Sequence, residues 1–100
     1  MLTFVRSSRF DAWLRDLEPT TRARIVTRLD RASLGNFGIC EPLGEGVSEM
    51  KIDFGPGFRV YFVRQGVAVY LLLVGGDKSS QKRDIEQAKA MARALKQGGE

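Results

Sequence analysis

Apolar residues recur along this chain with two different periods, 3.6 in its first third and 2 in its middle. Leu2 to Arg6 reads as a short strand, after which Phe10, Trp13, Leu14 and Leu17 fall at i, i+3, i+4 and i+7, one face of a helix. Ser8, with Asp11 three residues later, is suited to a capping box for that helix. Glu18-Pro19-Thr20 breaks the pattern, and proline fits the first turn of a second helix. There Ile25, Leu29 and Ala32 form the apolar stripe, Arg22, Arg24, Arg28 and Arg31 lie largely off it, and Gly35 is a suitable stop. The two helices are predicted to form an antiparallel hairpin.

Residues 35–46 hold four glycines and a proline and read as a loop. Beyond it Met50, Ile52 and Phe54 alternate with Glu49, Lys51 and Asp53, and Phe58, Val60 and Phe62 alternate with Arg59, Tyr61 and Val63. A turn over Gly55-Pro56-Gly57 predicts the register: Phe54 opposite Phe58, Asp53 opposite Arg59, Lys51 opposite Tyr61. Gln65-Gly66 makes a second tight turn into Val67 to Val74, a continuous apolar run typical of a strand covered on both faces. Ile85, Ala88, Ala92 and Leu95 give the last segment a helical stripe able to supply that cover. The predicted fold is α+β in the order β-α-α-β-β-β-α, with an antiparallel or mixed sheet, a helical hairpin on one face and a C-terminal helix. One domain spans 1–97, with a short tail at 98–100.

One hundred residues support one core, and the composition, 43% hydrophobic and 28% charged, is that of an ordinary globule. A net charge of +4 and a pI near 9.6 suit nucleic acid or an acidic protein as partner. Cys40 is the single cysteine and histidine is absent, which excludes an internal disulfide, a Cys-His catalytic pair and a Cys/His zinc site. The N-terminus is too soon interrupted by charge for a signal peptide, and no apolar run approaches the ~20 residues of a membrane span. A cytoplasmic location without membrane association is expected.

The strands gather cations. Lys51 and Arg59 project from one face of adjacent strands, and Lys78 follows the end of the third. Cleaving RNA without a metal needs a base for the 2′-hydroxyl proton, an acid for the leaving 5′-oxygen, and cations for the charged phosphorane. Lysine can transfer protons if neighbouring positive charge lowers its pKa from ~10.4, and arginine can hold phosphate by paired hydrogen bonds. Lys51, Arg59 and Lys78 are therefore the catalytic candidates, and Tyr61, Gln81, Lys82 and Arg83 the RNA-binding ones. Each has a plainer explanation: a solubilising strand residue for Lys51, an Asp53–Arg59 ion pair, a ring packed on the sheet for Tyr61. Lys82 and Arg83 oppose the dipole of the helix they begin, so local stability does not account for them. Gly75-Gly76-Asp77-Lys78 lacks the Gly-x4-Gly-Lys-Ser/Thr pattern of a P-loop; its glycines are expected to let the chain turn, with Asp77 and Ser80 as helix caps.

The succession GVSEMKI, GPGFRVYF and LLLVGGDKSSQKRDIEQA, with FDAWLRDL and GNFG before it, resembles the RelE/ParE toxin superfamily of type II toxin–antitoxin systems, in its HigB-like branch of addiction-module killer proteins. The resemblance implies a ribosome-dependent mRNA endoribonuclease that uses no cofactor. It also implies neutralisation by a cognate antitoxin, usually a small helix-turn-helix protein encoded next door, through which alone operator DNA is contacted. In the GYRLVY-like and VGKR-like motifs of that superfamily the matching basic residues here are Arg59 and Lys78, while the hairpin spacing at Lys51 differs by one residue. The tyrosine that RelE-type toxins carry in the last helix is absent, and Asp84 falls near its place. ParE-type relatives instead inhibit DNA gyrase, and a toxin-derived module that only binds antitoxin or RNA is the third reading.

Overall fold

The computed structural model describes residues 1–98. In chain order it contains β1 (Thr3–Arg6), α1 (Ser8–Asp16), α2 (Pro19–Ser33), β2 (Cys40–Gly44), β3 (Val47–Ile52), β4 (Phe58–Arg64), β5 (Val69–Asp77), a single 3-10 turn (Lys78–Ser80) and α3 (Gln81–Lys96). Residues 99 and 100 of the expected tail lie outside the described residues. The five strands form one mixed sheet in the order β1-β5-β4-β3-β2, in which β1 runs parallel to β5 and the other neighbours are antiparallel. The α+β fold is as expected, with one strand more than the sequence pattern suggested.

That strand is β2, taken from the segment read as a loop. Cys40, Glu41 and Pro42 pair with Met50, Glu49 and Ser48 of β3. Proline is tolerated because β2 is an edge strand, where its missing N–H is not needed by a second neighbour. The glycines that suggested a loop serve the β2–β3 turn: Gly44, Glu45 and Gly46 all have positive φ. Glu45, the one non-glycine among the described residues in that region, is tied down by Arg93 Nη1 of α3 at 2.6 Å.

The sheet is covered on both faces. Phe10 and Leu14 of α1 and Ile25, Leu29 and Ala32 of α2 pack against Met50, Ile52, Phe58, Val60, Phe62 and Leu72. On the other face Ala88 and Ala92 of α3, flanked by Ile85 and Leu95, pack against Val47, Tyr61, Val63, Leu73 and Val74. The predicted stripes of all three helices are thus the buried ones. Pro19 opens α2 as expected, but the cap of α1 is Ser7 rather than Ser8. Ser7 Oγ accepts from Phe10 N at 3.0 Å and donates to Leu73 O at 2.7 Å. It thereby fastens α1 to β5 beside the irregularity where Tyr61 pairs with Val74 and Phe62 with Leu72, leaving Leu73 as the extra residue.

Two further expectations are corrected. The β3–β4 register is shifted by two residues, so that Lys51 faces Arg59, Glu49 faces Tyr61 and Ile52 faces Phe58. The connecting turn takes in Asp53 and Phe54 as well as the glycines, with Gly57 N donating to Phe54 O at 3.0 Å. In addition, β5 begins at Val69, not Val67, and runs on through Gly75 and Gly76. Those glycines make space rather than a turn. A methyl on Gly75 would lie 2.2 Å from the Trp13 ring, and one on Gly76 would lie 1.9 Å from the Asp84 carboxylate.

Candidate functional site

The predicted cations meet at one end of the sheet, where β3 ends, β4 begins and β5 ends. Lys51 is directly opposite Arg59, and Arg59 on its other side is opposite Gly76. Two like charges in one cross-strand pair repel, and two carboxylates offset them. Glu41 of β2 reaches Lys51 Nζ at 3.5 Å, an exposed contact of little energetic weight. Glu49 lies 3.7 Å from Arg59 Nε, with its side chain 1% exposed and that of Arg59 13%. Arg59 Nη1 donates to Gly57 O at 2.9 Å, so the guanidinium is held from the turn side as well. The Asp53–Arg59 pair expected from the earlier register does not form.

Below this rim lies a buried polar layer that the sequence did not announce. Glu49 Oε2 accepts from Gln81 Nε2 at 2.8 Å, which binds the first residue of α3 to the middle of β3. Asp84, 5% exposed, accepts from Ser80 Oγ at 2.5 Å in the space left by Gly76. Both carboxylates sit near the positive end of α3, where the helix dipole favours negative charge. Tyr61, opposite Glu49 on β4, is fully buried, and its hydroxyl makes no hydrogen bond of normal geometry. Burial first, and then the Glu49 carboxylate, raise its pKa far above the ordinary phenol value, so it stays protonated. With neither ring face exposed, Tyr61 offers no surface on which a base can stack in this conformation.

The other candidates are on the surface. Lys78 follows Asp77, whose partner is Phe58, and so lies at the same sheet end as Arg59. Lys82 and Arg83 are exposed in the first turn of α3. Lys78, Lys82 and Arg83 enter no ion pair among the described residues. Asp77, expected to cap the last helix, caps the 3-10 turn before it, accepting from Ser79 N at 2.8 Å and Ser79 Oγ at 2.5 Å, and the Ser79 hydroxyl holds its carboxyl below the usual range. Ser80 precedes α3 without a capping hydrogen bond of its own, because its hydroxyl goes to Asp84. Beside this cluster a cleft of about 1010 Å³ opens between α1 and α3, with Arg9, Trp13, Gly75, Ser79 and Arg83 along it.

Lys51, Arg59 and Lys78 therefore share one edge, Gln81 is drawn inward to Glu49, and Lys82 and Arg83 extend the positive surface along α3. Glu49 and Asp84 were missed as members of the site. The signal that could have found them was the doubly apolar β5: a helix covering one face of that strand also covers its neighbours, and Glu49 and Tyr61 lie on that face.

Residues 12–96 match the phage-derived Gp49-like protein family (DUF891). The chain belongs to this family. The Gp49-like proteins are associated with toxin–antitoxin systems. An uncharacterized protein of Haemophilus influenzae is 44% identical over 87 residues, which cover 86% of this chain and 88% of that one. The matched region of the family takes in the site from Glu49 to Asp84, and β1 and the start of α1 precede it. Among the described residues no helix is long and apolar enough to cross a membrane.

Proposed function

We propose that this Gp49-like protein is the toxin of a toxin–antitoxin pair and acts as an mRNA endoribonuclease at the Lys51–Arg59–Lys78 edge. One observation carries the reading: Arg59, anchored by Glu49 and Gly57 O, is presented at the rim between one lysine-bearing strand and the strand end that carries another. In the reaction the substrate's 2′-oxygen bonds to phosphorus and the bond from phosphorus to the 5′-oxygen breaks. This leaves a 2′,3′-cyclic phosphate and a free 5′-hydroxyl. Arg59 stabilises the phosphorane charge, and the two lysines are placed to take the 2′-hydroxyl proton and to supply one to the leaving oxygen. Lys82 and Arg83 hold the flanking backbone. The ribosome supplies substrate geometry that this open edge does not. A cognate antitoxin neutralises the protein by covering this positive edge, and the RelE/HigB-like resemblance supports the same assignment.

The test is 5′-end mapping of a defined mRNA in a reconstituted translation system, with and without ribosomes. Wild type is compared with Lys51→Ala, Arg59→Lys and Lys78→Ala. New ends that require ribosomes and fall by about 100-fold or more in the variants, the range for loss of a charge-stabilising or proton-transfer group, support the proposal. Intact mRNA in the presence of protein that arrests growth would remove the nuclease assignment and direct attention to DNA gyrase.

A further inference from the structure

A second positive site lies on the opposite side of the sheet from Arg59. Arg24, Arg28 and Arg31 of α2 stand at i, i+4 and i+7, one helix face, over about 10 Å at 1.5 Å per residue. With Thr20 and Thr27 they form one wall of a groove of about 620 Å³, whose other wall is Asp53 and Phe54 of the β3–β4 turn. None of the three arginines pairs with a carboxylate among the described residues, and Asp53 is the one acidic side chain lining the groove.

The groove is organised before any ligand arrives. The Arg24 guanidinium lies 4.3 Å from the centre of the Phe54 ring, which in turn stacks on Phe58 at 6.2 Å. Arg28 donates through Nη1 to Asn36 O at 3.1 Å and through Nη2 to Phe37 O, so its stem and charge are fixed. Arg31 is exposed at the end of the row. Fixed guanidinium groups lose less side-chain entropy on binding than mobile ones.

We infer that this groove binds the phosphodiester backbone of single-stranded RNA. The charges are spread along a line rather than converging on one point, which suits a polyanion better than a free phosphate. A protein partner would be expected to need apolar anchors at the centre of its interface. In the lining Ile52 is buried and the half-buried Phe54 ring is already covered by Arg24, while the exposed large apolar residues, Met1, Val5, Leu34, Ile39 and Val67, all lie outside it. The choice of RNA as the polyanion rests on the function proposed above. The β3–β4 turn, whose Asp53 and Phe54 line this groove, also joins the two strands that carry Lys51 and Arg59.

The experiment is fluorescence anisotropy with a labelled 2′-O-methyl oligouridine of twelve nucleotides, which cannot be cut by 2′-hydroxyl attack, so binding is read independently of cleavage. The full chain is compared with Arg24→Glu/Arg31→Glu and with Arg15→Glu/Lys96→Glu, a control that lowers the +4 net charge equally but lies outside both sites. Arg24→Gln/Arg31→Gln serves if the charge reversal does not fold, as judged by circular dichroism. The expected result is affinity lower by about tenfold or more in the groove variants than in the control. The salt slope should also be shallower by about 1.4, two single-strand phosphate contacts at ~0.7 each. Equal weakening in groove and control variants would overturn the proposal, as would unchanged binding in the groove variants. So would tighter groove-dependent binding of an oligoglutamate peptide, which would make the ligand an acidic protein segment. Any of these results leaves the Arg59 cleavage test standing.

Discussion

Replacing Gly75 by alanine tests how α1 is seated on the sheet. Gly75 is buried within β5 and its φ is not in the left-handed region, so the alanine backbone is unstrained. Reduced unfolded-chain entropy would by itself stabilise the variant by about 0.4–1 kcal/mol. Sterics decide otherwise, because the new methyl lies 2.2 Å from one ring carbon of Trp13 and 2.3 Å from another. Ordinary contact begins near 3.4 Å, so the ring must retreat by more than about 1 Å. Trp13 is wedged between Phe10 at 5.5 Å and Phe58 at 6.3 Å, and a rigid indole cannot bend away. Overpacking of this kind costs about 1–3 kcal/mol, and expelling the ring instead forfeits about the same in lost burial. A net loss of about 2 kcal/mol corresponds to roughly 8–16 °C in Tm for a domain of this size. Because Trp13 is the only tryptophan, its emission reports the displacement directly. Urea unfolding should show a lower midpoint, and the native spectrum a shift to the red. In a Trp13→Leu background the same glycine exchange should cost at least about 0.5 kcal/mol less, since the clashing partner is gone. Equal midpoints and an unshifted spectrum for Gly75→Ala would refute the steric reasoning.

Two further outcomes are expected. Glu49→Gln keeps the shape beside Gln81 but leaves the Arg59 guanidinium, 13% exposed, without its carboxylate; stability should fall by about 1–2 kcal/mol, less than for a fully buried ion because Arg59 reaches the rim. Glu49→Ala should lose more, and a double cycle with Arg59→Gln in urea should give clear coupling, its absence showing that the two side chains act independently. The Asp77 carboxyl is depressed below 3.8 by the Ser79 hydroxyl, so its contribution to stability is fully present above that pH and lost as pH falls through the lower folded value. Asp77→Asn should therefore differ from wild type above pH 3.8 and converge with it in more acid solution; parallel stability curves throughout would show that Asp77 is not the titrating group.

Helix positions were legible in the sequence because each helix has one buried face: Phe10 with Leu14, Ile25 with Leu29 and Ala32, and Ala88 with Ala92 follow the 3.6 period. The middle strands were legible as strands but not as buried layers. Alternation of Glu49 and Lys51 with apolar residues resembles a sheet with one solvated face, whereas α3 covers Glu49 fully and leaves Lys51 at its margin. Register failed by two residues because Gly55-Pro56-Gly57 suggested a minimal turn, and nothing local shows that Asp53 and Phe54 join it. Gly75 and Gly76 look like turn residues in sequence, yet what they make room for, Trp13 and Asp84, lies 62 and 8 positions away in the chain. Convergence of Lys51, Arg59 and Lys78 at one sheet end survived the register error, since it depended only on strand direction.

Parallel pairing of β1 with β5 joins Thr3 to Val69 and Arg6 to Leu72. During synthesis the first strand must therefore wait for nearly the whole chain, because its neighbour does not exist until residues 69–72 have been made. The face bearing Glu49 and Tyr61 waits longer still, since α3 occupies residues 81–96. A growing chain thus holds an unpaired first strand until β5 has emerged and an open apolar face until α3 has, and such contacts of high sequence separation form slowly. The edge that carries Arg59 is therefore finished only once α3 has been made and has docked on Glu49 through Gln81.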